Sequence, residues 1–360
     1  MKSGIQIALV VLLFVSVAPT VFGQSGAEKD PRGSQLTNLL APKMSDTAAD
    51  PVNSGTGNFR EEHKRTALES AQDAMRAGTA SLEARQYKDA LASFEAAGQF
   101  VPNSGVVYAS MGYAYLCLEQ YENSIKAFER AVALGHDSSE TRKALGIGYL
   151  RLGKAEQAIT PLQEAIRLGP RDAVNHYLLG MAYDGNGQLS DAIDHFLRSL
   201  ALDRSFYRSY YLLAAVYTDQ SRIEDAIDLL KEALRLKPDF GEAYLALGNA
   251  LSSSGHYKES IQNYDAALRL DPENAIARNN LGVAFLRLNK NKEGLAALQR
   301  AARLDPRIGQ IHVNLARAYL RLGNKDAAFA EYTALRAHDA ELAKTLYDDI
   351  FRGRILKVRQ

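Results

Sequence analysis

Seven histidines and one cysteine are the residues of this 360-residue chain best suited to metal binding or nucleophilic chemistry. The histidines are His63, His136, His176, His195, His256, His312 and His338. None falls in the His-Glu-X-X-His spacing that puts two ligands on one helical face. Cys117 stands alone, which excludes an intramolecular disulfide and any multi-cysteine metal site, and its apolar surroundings point to burial. No Gly-rich phosphate loop or Gly-X-Ser-X-Gly elbow occurs. The dispersed Asp and Glu read as solvated surface, because catalysis needs a positioned constellation. No catalytic residue, metal ligand or cofactor is therefore expected, and the chemistry left to this chain is recognition.

The charge balance agrees. Lys and Arg number 43 against 42 Asp and Glu, with 46% hydrophobic residues, which excludes a disordered polyelectrolyte. It also gives no overall basic excess of the kind nucleic-acid binding uses.

The chain divides by composition. Residues 1–23 begin with Met1 and Lys2, continue in an apolar run from Ile5 to Val17, and reach Pro19 and Val21-Phe22-Gly23. The run is shorter than the roughly 20 residues of a spanning helix, and small or modest residues stand at −3 and −1 of a cut after Gly23. A signal peptide is expected, with an uncleaved N-terminal membrane anchor as the alternative. No Asn-X-Ser/Thr sequon occurs, which favours a bacterial envelope (periplasmic or extracellular). Residues 24–57, rich in Gly, Ser, Asp, Thr, Asn and Pro, read as a flexible linker. Asn58 and Glu61 have the capping-box spacing of a helix start, so 58–70 is expected to be a lead-in helix.

From residue 71 to 342 the chain repeats every 34 residues without an insertion or deletion. Blocks begin at Ala71, Gly105, Ser139, Ala173, Tyr207, Gly241, Ala275 and Gly309, so they span 71–104, 105–138, 139–172, 173–206, 207–240, 241–274, 275–308 and 309–342. Position 8 is small throughout: Gly78, Gly112, Gly146, Gly180, Ala214, Gly248, Gly282 and Ala316. Position 20 is also small, and position 24 is large: Phe94, Phe128, Leu162, Phe196, Leu230, Tyr264, Leu298 and Tyr332. Apolar residues at 4, 7, 8 and 11 share one helical face and those at 20, 24 and 27 share another, so each block is two helices. Small residues bring the paired backbones together and the large one fills the space between them. Gly at position 15 breaks the helix at the turn, and proline at position 32 stops the second helix. Residues 343–360, with Leu346, Tyr347, Ile350 and Phe351 on one helical side, read as a C-terminal capping helix and basic tail.

This pattern resembles the tetratricopeptide repeat family, most clearly in Leu145, Gly146, Tyr149, Ala158, Ala165 and Pro170. The resemblance implies an all-α fold, a right-handed α-solenoid (superhelix) of stacked antiparallel helix pairs. It also implies a concave groove lined by first helices through positions 2, 5, 6, 9, 12 and 13. In repeats 2 to 5 those slots include Tyr113, Leu116, Ile147, Leu150, Tyr177, Met181 and Tyr211, an apolar and aromatic track for peptide side chains. In repeats 6 to 8 they include Asn249, Asn279, Asn280, Arg287, Gln310, Asn314, Arg317 and Arg321. Asn280 and Asn314 resemble the asparagine ladder in the superhelical repeats of O-linked N-acetylglucosamine transferases, where the amide bonds the backbone of an extended peptide. The basic clamp of chaperone-binding co-chaperones is not matched, since Ile147 stands where Asn would accompany Lys143.

The function expected is a non-enzymatic scaffold that binds an extended peptide segment of a partner protein outside the cytoplasm. Its ligand would place apolar side chains towards the early repeats and carboxylates towards the late ones. Nucleic acid and membrane insertion after signal cleavage are not expected, and self-association through outer or end surfaces stays open. Two further readings stay open: an accessory subunit for an enzyme on another chain, such as a glycosyltransferase, and a structural envelope-assembly protein.

Overall fold

The computed structural model describes residues 57–347 apart from 338 and 345, with side chains from residue 65 onward. The expected signal peptide, the linker up to residue 56 and the tail from 348 lie outside these residues. The fold is an all-α solenoid of helix pairs, with no strand among the described residues. The chain forms two compact units that divide between Leu202 and Asp203.

The first unit holds α1 (Gly57–Glu83), α2 (Tyr87–Phe100), α3 (Gly105–Cys117), α4 (Tyr121–Ala133), α5 (Ser139–Arg151), α6 (Ala155–Leu168), α7 (Ala173–Gly185) and α8 (Leu189–Leu202). The second holds α9 (Tyr207–Asp219), α10 (Ile223–Leu236), α11 (Gly241–Ser253), α12 (Tyr257–Leu270), α13 (Ala275–Arg287), α14 (Asn291–Leu304), α15 (Gly309–Arg321) and α16 (Lys325–Arg336). From α3 onward, each first helix starts at position 1 of the 34-residue period. α1 differs: the lead-in and the first helix of repeat 1 are one continuous helix of 27 residues. No Gly or Pro interrupts residues 58–77, so nothing breaks the helix there.

Packing within each pair follows from the small and large columns. Position 24 is buried to 2% exposure or less from Phe94 through Leu298. A Cβ built on Gly146 would lie 2.5 Å from Leu162, on Gly180 2.8 Å from Phe196, and on Gly248 2.6 Å from Tyr264. Position 8 is therefore small because the position-24 side chain of the same repeat occupies the volume a methyl would need. The position-7 leucines, from Leu145 to Leu315, are all buried beside them.

Every first helix ends the same way. Position 15 has a left-handed backbone in all eight repeats, at Arg85, Glu119, Gly153, Gly187, Ser221, Gly255, Asn289 and Gly323. The position-16 N–H donates to the position-11 carbonyl, as Lys154 does to Tyr149 and Arg222 to Tyr217, at 2.9 and 2.8 Å. The position-15 N–H donates to position 12, as Gly153 does to Leu150 at 3.0 Å. These two bonds make a Schellman ending, which satisfies carbonyls that helix termination would orphan. Ser138, Asp172, Asn274 and Asn324 cap the following helices by accepting from backbone N–H groups. After α16, Ala343 and Leu346 bury against Val313, Ala316, Ala328 and Leu335, closing the last apolar face.

Candidate protein-binding surface

The first helices of the first unit present less apolar surface than their sequence suggests. Tyr113 on α3 is half-buried, with its ring edge-on to Phe128 at 5.0 Å. Ile147 and Leu150 on α5 are buried, and so are Tyr177 and Met181 on α7, both 5% exposed. Tyr177 leans towards Phe196, with ring centroids 6.3 Å apart. In the second unit, Tyr211 on α9 is 6% exposed and packs on Phe240 at 5.0 Å. The rings of adjacent repeats thus share a register position but are covered by their neighbours.

The polar slots of the second unit behave differently and form one connected line. Gln310 Nε2 donates to Asn314 Oδ1 at 3.3 Å, and Asn314 Nδ2 to Asn279 Oδ1 at 2.9 Å. Asn279 Nδ2 donates to Asn280 Oδ1 at 2.9 Å, and Asn280 Nδ2 to Asn249 Oδ1 at 2.8 Å. Tyr264 closes the line by donating its hydroxyl to the same Asn249 oxygen at 3.0 Å. Burial pushes the Tyr264 phenol up to about 12, so it keeps the proton it donates. The relay crosses α15, α13 and α11 with each amide from Gln310 to Asn280 donating to the next, and hydrogen bonds in such a chain polarise one another. Each amide nitrogen has two N–H groups, so one internal bond leaves a donor over; the exposed Asn249 spends neither.

Three exposed arginines lie on two of the same helices. Arg317 and Arg321 are one turn apart on α15, and Arg321 Nη1 donates to the Leu286 carbonyl at 2.5 Å. That bond ties α15 to the last turn of α13, which ends at Arg287. Lys143, by contrast, is tied to Asp172 at 2.5 Å.

The position-4 histidines are structural links. His176 and His195 face each other Nδ1 to Nδ1 at 3.0 Å, and His195 stacks on Tyr183. His312 sets Nδ1 2.7 Å from Glu331 Oε2 and Nε2 2.9 Å from the Pro306 carbonyl. Among the described residues, no group of three or more His, Cys, Asp and Glu could hold a metal ion. Burial pushes the Cys117 thiol up, away from the reactive thiolate.

Two sets of residues escaped sequence reasoning. Tyr149 donates its hydroxyl to Glu129 at 2.8 Å, and Tyr183 and Tyr319 accept from Gln163 and Gln299, both at 3.0 Å. The signal was there: Tyr at position 11, with Glu or Gln at position 25 of the preceding block, twenty residues earlier. The other is a run of exposed apolar side chains at position 30, Phe100, Leu168, Leu202 and Leu270, in the last turn of second helices. Reading that column down the repeats would have found it.

Family models described as tetratricopeptide repeat match residues 109–173, 173–206, 245–307 and 284–343, and one described as TPR repeat matches 216–255. No curated protein matches the sequence. Among solved structures, PilF of Pseudomonas aeruginosa is similar with a TM-score of 0.53 and 19% identity, over 59% of this chain and 97% of that one. The Cut9–Hcn1 hetero-tetramer of APC/C gives 0.55 and 19% identity, over 83% of this chain and 60% of that one. YrrB, a TPR protein with an unusual peptide-binding site, gives 0.45 and 21%, over 53% of this chain and 96% of that one.

Proposed function

The chain belongs to the tetratricopeptide repeat family, and from that premise we propose that it is a non-enzymatic scaffold binding an extended segment of a partner protein outside the cytoplasm. The observation that carries this reading is the amide relay Gln310–Asn314–Asn279–Asn280–Asn249. An extended backbone offers alternating N–H and C=O groups that a line of amides can meet without demanding a side-chain sequence. The internal bonds orient the amides before the partner arrives, which lowers the ordering cost of binding. Tyr113, Ile147, Tyr177 and Met181 in the first unit, and Tyr211 in the second, would contribute apolar contact where a partner displaces their present neighbours.

The test replaces Asn249, Asn280 and Asn314 together by Ala and compares capture from an envelope extract with the unaltered protein. A client kept by the unaltered protein and lost by the variant is the expected result. Equal retention puts the binding surface elsewhere. Export rests on residues 1–23: mature protein from the envelope or medium should begin at Gln24, and cytosolic protein with an intact start would refute it.

A second reading, self-assembly, is favoured by the exposed Phe100, Leu168, Leu202 and Leu270, since exposed apolar surface marks interaction sites. It expects sedimentation that rises with concentration and reverts on Leu168→Ser with Leu202→Ser.

A further inference from the structure

Two lines of hydrogen bonds converge on one atom, Asn249 Oδ1. The relay brings Asn280 Nδ2 to it at 2.8 Å, and Tyr264 brings its hydroxyl to the same oxygen at 3.0 Å. Ser252, one turn further along α11, bonds the Tyr264 hydroxyl in turn. Tyr264 stands apart in its column. It is buried like Phe94, Phe128, Leu162, Phe196, Leu230 and Leu298, but none of those carries a hydroxyl. A core ring thus reaches an exposed side chain and holds it.

The consequence is an amide with a single usable group. A carbonyl oxygen has two lone pairs, and both of those on Asn249 are taken. Turning the amide over would set its nitrogen against two donors, so the orientation is fixed. Asn249 is exposed and its Nδ2 meets no acceptor among the described residues, which leaves two N–H groups for a ligand. Asn280 and Asn314 differ, since each accepts one bond and donates one. Each therefore keeps both a lone pair and an N–H, and can serve both halves of a peptide unit. At Asn249 a peptide residue finds a donor for its C=O and no acceptor for its N–H.

We propose that Asn249, locked by Tyr264 and Asn280, selects partner segments that place there a residue with a carbonyl but no N–H, which among the ordinary amino acids is proline. The inference rests on the peptide-binding reading above and adds the class of residue read at one point of the line. Any other residue sets its N–H against a pair of donors and forfeits a hydrogen bond. Proline also fixes φ, so its segment is partly ordered before it binds. Tyr264 is a positioning residue: it acts through the amide it holds.

The experiment uses three pools of short, acetylated fluorescent peptides of mixed sequence, alike except that every third residue is proline, N-methylalanine or alanine. The first two lack the N–H. Polarisation titrations should favour both over alanine by about fivefold, the effect of one donor left unpaired at an exposed site. Tyr264→Phe keeps the ring that Phe94, Phe128 and Phe196 carry in this column, so the helix pair still packs. It frees a lone pair of Asn249, and the preference should fall below about twofold while the alanine pool binds as before. Asn249→Asp still accepts from Tyr264 and Asn280 but loses the outward N–H groups, so it should weaken the proline and N-methylalanine pools most. Tyr319→Phe breaks the bond from Gln299 in the same unit and should leave the preference intact. A preference for proline alone assigns the effect to ring stiffness and overturns the inference. Equal binding of the three pools, or an unchanged preference in Tyr264→Phe, overturns it too, and each of these leaves peptide binding in place. Binding of no pool overturns both readings.

Discussion

His176 and His195 share one proton between their Nδ1 atoms at 3.0 Å, one ring donating and the other accepting. A second proton on this pair would set two N–H groups against each other. Burial, the neighbouring His176 and Arg198 hold the His195 imidazole down at about 4, against the opposing pull of Asp194 and Asp191. His176 is also lowered, by burial and then by Arg198, with Asp172 opposing. Unfolded histidine titrates near ~6.5, so the unfolded chain takes up protons that the fold refuses. The stabilisation is therefore complete above that value and is lost as pH falls from ~6.5 towards 4. Urea midpoints of the full chain should drop across that window, and His195→Gln should flatten the slope. A midpoint that rises on acidification would contradict the geometry. Sequence placed His176 in a packing slot but could not pair it with His195, because partner choice depends on rotamers across two helices. The covered rings have the same origin. Tyr177 and Tyr211 occupy a slot that a period assigns to a face, yet whether Phe196 or Phe240 lies over that slot is decided by neighbouring side chains. The Asn280 and Asn314 slots were legible as polar; their linkage through Asn279 and Asn249 was not.

The helix pair was far more legible, because its geometry is enforced by volume. Gly146 against Leu162 and Gly180 against Phe196 leave no alternative packing that keeps the backbones as close. Sequence also marked the turn, but only through Gly153, Gly187, Gly255 and Gly323; Arg85, Glu119, Ser221 and Asn289 adopt the same left-handed backbone unannounced. The Schellman bonds impose that conformation whatever the side chain. For a residue with a Cβ it costs ~1–2 kcal/mol, offset by ~0.4–1 kcal/mol through the greater freedom glycine gives the unfolded chain. Ser221→Gly should then stabilise by about 0.5 kcal/mol, and Gly153→Ala should destabilise by about 0.5–1 kcal/mol. Space is not at issue for the latter, since a Cβ on Gly153 meets nothing within 4 Å. Denaturant midpoints of the two variants moving in the same direction would show that something besides backbone strain governs the turn.

In a repeat array each pair leans only on its neighbours, so a lesion should be felt locally before it is felt throughout. Gly180→Leu tests this, because it strikes the closest approach of α7 and α8. A Cβ alone would stand 2.8 Å from Phe196, which is fully buried and has no room to retreat. The added side chain should cost on the order of 1–3 kcal/mol or more. Hydrogen exchange should then accelerate in α7 and α8 and in the α5–α6 pair packed on them, all within the first unit. The amides of α13 to α16, at least three helix pairs further along the chain, should keep their protection. If the loss of protection were uniform from residue 65 to 347, the molecule would be unfolding as a single cooperative body. In that case the local strength of each helix pair could not be tuned separately. A graded loss instead means that a weakened first unit can leave the amide relay of the second unit folded.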